Sequence, residues 1–415
     1  MEKITLLENK RIILGVTGSI AVYKAVDLAS KLTQAGAQVD VIMTDAAQRF
    51  VTPLAFQSVT GRPVYTDLWQ ADSSGGLPTH IAHVGLGEGA DLLVIAPITA
   101  QTMAKLAHGL ADNLLTVTTL AARCPTLIAP AMDGGMYQHP ATQANLAALQ
   151  LHGVDVVEPE EGRFASGLVG KGRLPETATL IGHIRRVLAR TGSLAGRRVV
   201  VTAGGTVEPI DPVRYLTNRS SGKQGYALAQ AALDAGAEVT LITSAQGLAQ
   251  PVDARIVPVG SAHELLDAVR QAIQGADALL MAAAVADFRP AQAAEQKIKK
   301  QDEDSGLTLE LVRNPDILLE VQRQRAHTGW PRVVVGFAAE SENLLANAQD
   351  KLKRKGMDLL VANDISATDA GFTVDTNRVT ILDASGGQQP LELMSKTAVS
   401  EIIIDRVAAL LGKSE

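Results

Sequence analysis

A polar stretch in the middle of the chain carries the residues whose chemistry is easiest to interpret. The sequence TNRSSGKQG (217–225) follows the apolar run RRVVVTAGG (197–205), which is typical of a buried strand. The connection to the next helix-like segment is about twenty residues long, whereas strand-to-helix loops need only about 2–6 residues. Ser220, Ser221 and Gly222 would open that helix and offer hydroxyl and backbone N–H groups to a phosphate. We expect the loop to hold a phosphorylated substrate.

Lysines in the last third of the chain could place positive charge beside phosphate groups. Lys351 and Lys355 stand four residues apart, so a helix would present them on one face near its C-terminal end. Lys297 lies in the run KIKK (297–300). Lysines are also typical of solvated helix ends and of edge strands. The lysines therefore indicate phosphate binding only in combination with other motifs.

The first half of the chain has three irregular loops at the ends of strand-like runs. GVTGSIAVYK (15–24) puts two glycines and Ser19 between a strand and a helix, a pattern that suits phosphate. APITAQTMAKL (96–106) has small polar residues that allow close approach by a flat ligand, and APAMDGGMYQHP (129–140) ends a further strand. Three such loops predict a ligand site at the carboxyl ends of the strands.

Two histidines, His80 and His83, are three residues apart and could suggest a metal site. Neither Glu nor Cys stands at a supporting spacing, so the pattern does not favour metal ligation. A single catalytic imidazole is a second interpretation, because His83 lies just ahead of the strand-like run ADLLVIAP (90–97). An ordinary histidine at the start of a helix is the third.

Composition limits the class of protein. The 415 residues include 38 Lys and Arg against 44 Asp and Glu, and this net charge of −6 argues against nucleic acid as a partner. Cys124 is the single cysteine, so no intrachain disulfide can form, which fits a reducing compartment. The N-terminus does not resemble a signal peptide, and no apolar run approaches the roughly 18 residues of a membrane span. We expect a cytoplasmic protein with no membrane partner.

The helices and strands that must position these residues follow a sequence pattern that occurs twice in the chain. LASKLTQAGAQVDVIMT (28–44) parallels LAQAALDAGAEVTLITS (228–244), and GADLLVIAPITA (89–100) parallels GADALLMAAAVAD (275–287). Strands that are apolar on both faces and alternate with helices indicate parallel sheets covered on both sides. The sequence therefore predicts an α/β protein with two doubly wound, mostly parallel-sheet Rossmann/flavodoxin-like domains.

The boundary between the two predicted domains is marked by a helix and a linker. PETATLIGHIRRVLAR (175–190) has an apolar helical stripe with Pro175 at its start. TGSLAG (191–196) then has the composition of a linker. We place the domains at 1–190 and 191–415. The glycine-rich segment EEGRFASGLVGKGRL (160–174) is either a mobile flap or a plain surface loop.

In their order along the chain, the motifs of the first half resemble the flavin-dependent cysteine decarboxylases and, more narrowly, the phosphopantothenoylcysteine decarboxylases. The resemblance covers about residues 8–190 and includes HVGLGEGADLLVIAP (83–97) and FASGLVGKGR (164–173). It implies a flavodoxin-like domain that forms trimers, in which FMN takes a hydride and the thioaldehyde formed from the cysteine thiol is the electron sink for loss of CO₂. It also implies that His83 is the active-site histidine. The residues that would hold FMN are Gly18, Ser19, Thr44 and Thr99.

Two residues depart from that family's pattern. The usual PxMN motif ends in Asp133 here, and an ionised carboxylate would repel the substrate carboxylate by about 4 kcal/mol at ~4 Å and a dielectric constant near ~20. The flap cysteine that often donates a proton is replaced by Ser166, whose hydroxyl is a far weaker acid than a thiol. Asp133 and Ser166 remain candidate catalytic residues. The departures keep open a flavin-binding domain without decarboxylase activity.

The second half resembles the CTP-dependent phosphopantothenate–cysteine ligases over about residues 195–408. The matching stretches are AGGTVEPIDPVRYLTNRSSGKQG (203–225), AAAVADFRP (282–290), KIKK, NPDIL (314–318), VVGFAAE (334–340) and AND (362–364). Gln224 stands where the family usually has methionine. The resemblance implies an acyl-cytidylate intermediate stabilised by Asn218, with Mg²⁺ bridging the phosphates. The nucleotide-binding residues that it implies are Asp287, Lys297, Pro315, Asp316, Ile317, Leu318, Phe337, Lys351 and Lys355.

Together the two resemblances imply an enzyme of coenzyme A biosynthesis that uses 4′-phosphopantothenate, cysteine and CTP, with the cofactors FMN and Mg²⁺. Dimeric ligase contacts and trimeric decarboxylase contacts would build a homo-oligomer, a dodecamer. A nicotinamide-dependent oxidoreductase is a rival hypothesis, but neither half has a GxGxxG fingerprint. A pure binding protein is another, and the lysines and loops argue against it.

Overall fold

The chain divides into two compact units, Met1–Leu188 and Ala189–Glu415, called here the first and the second unit. This division falls two residues before the boundary placed from the sequence, in the same segment between a helix and a strand. The computed structural model describes residues 3–69, 82–163, 167, 169–299, 307–340, 344–364 and 374–412.

The first unit is an α/β structure around one six-stranded sheet. Its strands are β1 (Arg11–Val16), β2 (Gln38–Met43), β3 (Val64–Tyr65), β4 (Leu92–Ile98), β5 (Thr126–Pro130), β6 (Asp155–Val156), β7 (Glu160–Arg163) and β8 (Val169–Arg173). Its helices are α1 (Val22–Gln34), α2 (Asp45–Gln48), α3 (Pro53–Thr60), α4 (Ala82–Glu88), α5 (Ala100–Ala107), α6 (Leu114–Ala121), α7 (Gly134–Gln138), α8 (Pro140–Leu151) and α9 (Thr177–Leu188).

The sheet of the first unit has the strand order β3-β2-β1-β4-β5-β6, and all its pairings are parallel. Every residue of β4 is buried, which explains its continuous apolar sequence. The order reverses direction between β1 and β4, so the crevice beyond their carboxyl ends is the expected ligand position. The remaining strands, β7 and β8, form a separate antiparallel hairpin.

The second unit repeats this design with a larger sheet. Its strands are β9 (Arg198–Ala203), β10 (Val207–Pro209), β11 (Tyr215–Thr217), β12 (Glu238–Thr243), β13 (Arg255–Pro258), β14 (Ala278–Met281), β15 (Phe288–Pro290), β16 (Leu311–Arg313), β17 (Val333–Glu340), β18 (Leu359–Asp364), β19 (Thr376–Asn377), β20 (Val379–Asp383), β21 (Gln388–Pro390) and β22 (Met394–Ser395). Its helices are α10 (Lys223–Asp234), α11 (Ala262–Ala272), α12 (Ile317–Thr328), α13 (Leu344–Arg354) and α14 (Lys396–Gly412).

The main sheet of the second unit has the order β13-β12-β9-β14-β17-β18-β20-β21. It is parallel from β13 to β18 and antiparallel beyond. The order reverses between β9 and β14, at the position that corresponds to β1 and β4. Three short antiparallel pairs, β10-β11, β15-β16 and β19-β22, lie outside this sheet. The predicted fold, with two doubly wound and mostly parallel sheets, is confirmed.

Two apolar layers cover the two faces of the second sheet. Helices α10 and α14 pack on one face, and α11, α12 and α13 pack on the other. Alternate residues of β9 supply the two layers, with Val199 and Val201 in the first and Val200 in the second. This two-sided burial means that side chains reach the carboxyl edge of the sheet from both faces.

Some element boundaries differ from those expected. Helix α10 begins at Lys223, four residues before the apolar run at 227, because Gly222 adopts a left-handed φ of 78° and caps it. Helix α9 begins at Thr177 rather than at Pro175. Leu194, in the linker expected at 191–196, is fully buried in the second unit. Among the described residues, no helix is long and apolar enough to cross a membrane.

Candidate active sites in the two units

The crevice of the first unit is held together by the hydroxyl group of Thr17, just after β1. This hydroxyl donates to the carbonyl oxygen of Pro97 at 2.9 Å and accepts from the amide of Thr99 at 3.0 Å. Thr17 is only 1 % exposed, so the two bonds are buried at the carboxyl end of the sheet. They fix the ends of β1 and β4 at the point where the strand order reverses.

The loop that follows β1 is short and closely packed. A Cβ atom on Gly18 would lie 2.5 Å from the Cβ of Ala46, so only glycine fits without displacing a neighbour. The amides of Gly18 and Ile20 have no hydrogen-bond acceptor within the described part of the chain. Ser19 accepts from the amide of Ala21 at 3.3 Å with its hydroxyl. Two unpaired amides beside a hydroxyl are suited to the phosphate group of a ligand.

Thr44 and Thr99 bring two further hydroxyl groups to this edge. Thr44 caps α2 by accepting from the amide of Ala47 at 3.3 Å, and it donates to the carbonyl of Val16 at 3.4 Å. Thr99 caps α5 by accepting from the amide of Thr102 at 3.4 Å. The four residues expected to hold FMN therefore follow β1, β2 and β4 at the carboxyl ends of adjacent strands.

His83 lies in the first turn of α4, the helix that leads into β4. A helix that precedes a parallel strand runs opposite to it, so the start of α4 lies toward the carboxyl edge of the sheet. The side chain of His83 is half-buried. Its proposed neighbour in the sequence pattern, His80, lies outside the described residues.

Asp133 follows β5 at the same edge and begins α7. Its carboxylate accepts from the amide of Gly135 at 3.1 Å, which is the usual role of an aspartate before a helix. The preceding residue, Met132, donates its amide to the carbonyl of Gly172 in β8 at 3.0 Å. The β7–β8 hairpin, the segment expected to be a flap or a loop, is thereby attached next to Asp133. Ser166, between these strands, lies outside the described residues.

A buried tyrosine stands one turn after Asp133. The hydroxyl of Tyr137 donates to Glu158 at 3.1 Å, and Lys171 pairs with the same carboxylate at 2.5 Å. Burial, together with the nearby Glu158 carboxylate, raises the pKa of Tyr137 to about 12. Tyr137 therefore stays protonated near neutral pH, and the ion pair joins β8 to Glu158, which also accepts the hydrogen bond from Tyr137 in α7.

The second unit has a cavity of about 1000 Å³ at the switch point between β9 and β14. Six of its lining side chains are Lys or Arg and two are Asp, so its wall attracts anions. The lining residues are Asn218–Gly225, Met281–Phe288, Arg313–Leu319, Phe337, Ala338, Lys351, Lys355, Asn363, Asn377 and Lys396.

The long loop between β9 and α10 forms one wall of this cavity, and its length is explained by the β10–β11 hairpin. Asp211 organises the turn, because its carboxylate accepts from the amides of Val213 and Arg214, both at 2.8 Å. It also accepts from the Arg214 side chain and from the amide of Ile298 at 3.2 Å. The Arg214 guanidinium and these amides hold the pKa of Asp211 well below its usual range.

Asparagine side chains fasten the loop to the ends of neighbouring strands. Asn218 donates its side-chain amide to the carbonyl of Ala284 at 3.0 Å. Asn314 donates to the carbonyl of Ala286 at 2.8 Å, which ties the segment before α12 to the segment after β14. Thr206 accepts from the amide of Ala286 at 3.0 Å. The cavity wall is therefore preorganised from three separate stretches of the chain.

The opposite end of the cavity combines charge with an aromatic ring. Lys355 pairs with Asp316 at 3.1 Å, and Asp316 caps α12 by accepting from the amide of Leu319 at 3.3 Å. Lys351 stands one turn before Lys355, since the amide of Lys355 donates to its carbonyl at 3.0 Å. Phe337, in β17, lies half-buried on the cavity wall.

Nearly all of the candidate residues of the second half converge on this cavity. The residues that line it are Asn218, Ser220, Ser221, Gly222, Asp287, Pro315, Asp316, Ile317, Leu318, Phe337, Lys351 and Lys355. Lys297 does not line it within this chain. The exposed Lys297 precedes Ile298, whose backbone pairs with Asp211 and Arg214 at the turn of the β10–β11 hairpin.

Gln224, unusual in the sequence pattern, lies in a polar network. Its amide group donates to the hydroxyl of Ser400 at 2.8 Å and to the carbonyl of Lys396 at 3.4 Å. Its side-chain oxygen accepts from Asn377 at 3.3 Å. A methionine has no N–H group to donate to Ser400 or to the carbonyl of Lys396, so the links that Gln224 makes from α10 to α14 need its amide group.

Several residues that line the cavity of the second unit were not predicted to be site residues. Lys223, Asn314 and Asn363 lie within the motifs TNRSSGKQG, NPDIL and AND, and their polar side chains are the signal for a role at the cavity. Asn377 and Lys396 had no local signal, because Lys396 is 172 positions from its partner Gln224. Within the described ranges, no three His, Cys, Asp or Glu residues form a group that could hold a metal ion.

Fold and sites together define a protein of two doubly wound α/β units, each with candidate ligand-binding residues at its switch point. The family model described as Flavoprotein matches residues 2–189. The model described as DNA/pantothenate metabolism flavoprotein C-terminal domain matches residues 194–411.

Curated relatives match almost the whole chain. The coenzyme A biosynthesis bifunctional protein CoaBC of Bacillus subtilis is 46 % identical over 408 residues, which is 98 % of each chain. Its counterpart in Mycobacterium bovis is 48 % identical over 414 residues, with 97 % of each chain covered. The counterpart in Vibrio vulnificus is 41 % identical over 406 residues, covering 98 % of this chain and 99 % of that protein. The chain belongs to the family of bifunctional coenzyme A biosynthesis proteins.

Solved structures match each half separately. The C-terminal domain of a coenzyme A biosynthesis bifunctional protein CoaBC is 35 % identical and covers 54 % of this chain and 99 % of that one, with a TM-score of 0.45. The FMN-dependent cysteine decarboxylase SpaF is also 35 % identical and covers 40 % of this chain and 91 % of that one, with a TM-score of 0.35.

Proposed function

We propose that the chain is a bifunctional enzyme of coenzyme A biosynthesis. The second unit ligates cysteine to 4′-phosphopantothenate with CTP, and the first unit decarboxylates the resulting 4′-phosphopantothenoylcysteine to 4′-phosphopantetheine. Membership of the family over nearly the whole chain supports both activities. The observation that carries the ligase assignment is the cationic cavity in which the candidate substrate and nucleotide residues meet.

In the ligase reaction, the substrate carboxylate attacks the α-phosphate of CTP, and pyrophosphate leaves. The amine of cysteine then attacks the acyl-cytidylate, which gives the amide and releases CMP. Lysines such as Lys351 and Lys355 would offset the charge of the phosphates, and Asn218 would donate to the reacting carbonyl oxygen. Phe337 would contact the cytosine, beside the 315–318 segment and Asp287. A Mg²⁺ ion would be held chiefly by the phosphates themselves.

Lys297 is proposed to act across a subunit contact. It lies beside the turn of the β10–β11 hairpin and outside the cavity of its own chain. A dimer that brings this region to the cavity of the partner would give Lys297 access to the triphosphate. Dimeric ligase contacts combined with trimeric decarboxylase contacts would give a dodecamer.

In the first unit, FMN fits the crevice because unpaired amides and hydroxyl groups meet there at the switch point. Gly18, Ser19, Thr44 and Thr99 would hold it. FMN would supply a reversible hydride acceptor, so that the cysteine thiol becomes a thioaldehyde whose C=S group takes the electron pair when CO₂ leaves. His83 would position the substrate. Asp133 directs its carboxylate to the amide of Gly135, an arrangement that lessens repulsion of the substrate carboxylate.

A single incubation tests both activities. The purified protein is given 4′-phosphopantothenate, CTP, Mg²⁺ and cysteine, and the products are identified by mass spectrometry. We expect 4′-phosphopantetheine. Accumulation of 4′-phosphopantothenoylcysteine alone would favour the alternative of an active ligase fused to a flavin-binding domain without decarboxylase activity. A decarboxylated product lacking two hydrogens would place the defect at the reprotonation step, where Ser166 replaces the usual cysteine. Absence of CTP consumption would overturn the ligase assignment.

A further inference from the structure

A second group of cations lines the cavity on the side opposite Lys351 and Lys355. Lys351 and Lys355 come from α13 and its end, and α13 packs on one face of the sheet. Lys223 and Lys396 begin α10 and α14, which pack on the other face. Since all four line the same cavity, cations border it from both faces of the sheet.

Lys396 lies in a buried position, where a charged ammonium group is energetically unfavourable. Its residue is 6 % exposed, and its Nζ donates to the carbonyl of Val374 at 2.5 Å. Burial and the neighbouring Lys223 ammonium lower the pKa of Lys396, while Asp375 acts in the opposite direction. A buried cation beside another cation, at the wall of a cavity, is expected where an anion arrives to offset both charges.

Asp375 supplies a negative charge beside this pair. Its carboxylate contacts Lys223 at 2.6 Å, and its side chain is 85 % exposed, so it can leave at little cost. Its backbone carbonyl accepts from the amide of Lys396 at 2.9 Å, which keeps the residue beside the two lysines. An exposed carboxylate paired with Lys223 is a replaceable counter-ion.

The rest of the pocket wall keeps the lysines in place. Gln224 follows Lys223 directly and bonds to the carbonyl of Lys396 and to Asn377, so α10, α14 and β19 form one connected unit. Asn377 is only 3 % exposed. The two ammonium groups are therefore positioned before a ligand binds, which lowers the entropic cost of binding.

We propose that Lys223 and Lys396 form a phosphoryl-binding subsite in which the Asp375 carboxylate holds the place of the ligand's phosphoryl group. The subsite rests on the proposed ligase function and names a further binding element of the same cavity. Two cations match the two negative charges of a phosphate monoester, and lysine binds phosphate as a compact point charge. With the nucleotide phosphates near Lys351 and Lys355, the phosphoryl group at Lys223 and Lys396 is that of 4′-phosphopantothenate.

Calorimetric titration of the full-length protein tests the subsite without any ligation. The ligands are 4′-phosphopantothenate, pantothenate, CTP and inorganic pyrophosphate. In Lys223→Met and Lys396→Met we expect affinity for 4′-phosphopantothenate to fall about tenfold or more, the usual effect of losing a charged hydrogen bond. Affinity for pantothenate should change little. Lys353→Met is the matched control, because Lys353 is exposed and does not line the cavity.

The variant Asp375→Asn distinguishes a replaceable counter-ion from a residue with only a structural role. Removing the resident carboxylate should strengthen binding of 4′-phosphopantothenate a few-fold, whereas loss of a structural contact would weaken it. If the lysine variants lose affinity for CTP or pyrophosphate instead, the subsite takes a nucleotide phosphoryl group, and the assignment to 4′-phosphopantothenate is overturned. Unchanged binding of every phosphorylated ligand in Lys223→Met, whose half-exposed side chain can be removed without unfolding, would overturn the proposal. Ligation assayed separately reports on the proposed function.

Discussion

In each unit a loop connects the first strand of the sheet to the helix that follows. The two loops occupy equivalent positions but differ greatly in length. After β1, residues 17–21 turn directly into α1, and a single hydroxyl, that of Thr17, ties the ends of two strands together. After β9, residues 204–222 form a hairpin before α10 begins. The same strand order is therefore followed by a short, closely packed loop in one unit and by a loop that lines a cavity of about 1000 Å³ in the other. The loop, rather than the sheet, decides what each unit can bind.

The largest expected effect is a loss of ligase activity in the second unit without a loss of decarboxylase activity in the first. Asn218→Ala removes the amide that we place beside the reacting carbonyl, so ligation should fall by about 100-fold or more. Decarboxylation of added 4′-phosphopantothenoylcysteine by the same variant should be unchanged, which provides an internal control. Rates are measured as CMP release and as CO₂ release. Equal loss of both activities would indicate a general folding defect instead of a role in the long loop.

A smaller effect is expected at the nucleotide end of the cavity. Lys355→Met removes the ammonium group that pairs with Asp316 at 3.1 Å, so the KM for CTP should rise about tenfold. The matched variant Lys353→Met alters an exposed lysine two residues earlier, in α13, and should behave as wild type. Steady-state kinetics with varied CTP decide this. Similar KM values for CTP in both variants would show that Lys355 does not contribute to nucleotide binding.

The short loop of the first unit is tested by Gly18→Ala. The added Cβ would lie 2.5 Å from the Cβ of Ala46 and 3.0 Å from its carbonyl carbon, so the loop must shift. We expect FMN to bind several-fold more weakly, as measured by flavin absorbance after gel filtration. Gly85→Ala is a suitable control, since no atom lies within 4 Å of its added Cβ. Full flavin content in Gly18→Ala would argue against this loop as the FMN cradle.

The polar network at Gln224 should affect stability more than chemistry. Gln224→Met leaves Asn377 without its acceptor and Ser400 without its donor, at a cost of about 1 kcal/mol or more in the free energy of unfolding. Denaturant unfolding of the variant measures this cost. The double variant Gln224→Met with Ser400→Ala should recover part of the loss, because it removes one unpaired partner. A fully stable single variant would show that the network contributes nothing.

The smallest effect is a pH dependence in the long loop of the second unit. The pKa of Asp211 is held below its usual range, so its ionised form stabilises the folded hairpin above the unfolded pKa of about 3.9. This stabilisation is lost as the pH falls below that value. The difference in Tm between wild type and Asp211→Asn should therefore be largest at neutral pH and shrink below about pH 4. A difference that stays constant with pH would exclude the carboxylate as its source.

Much of this molecule follows from sequence patterns alone. Apolar runs alternating with amphipathic helices specified two parallel sheets, because strands buried on both faces must be apolar throughout. The loop at 204–222 was recognised as unusual by its length and polarity, and its residues Asn218 and Ser220–Gly222 line the cavity. Local patterns succeed in these places because one short segment contains both the structural and the chemical signal.

Only the tertiary structure decided which distant residues share a site. Lys396 and Asn377 reach the cavity because α14 packs on the same face of the sheet as α10, although 172 positions separate Lys396 from Gln224. Lys297, suggestive in sequence, lies instead beside the hairpin turn formed by Asp211. The physical reason is that a pocket at the edge of a sheet collects side chains from both of its faces. Which helix ends meet there depends on long-range packing, which no local spacing encodes.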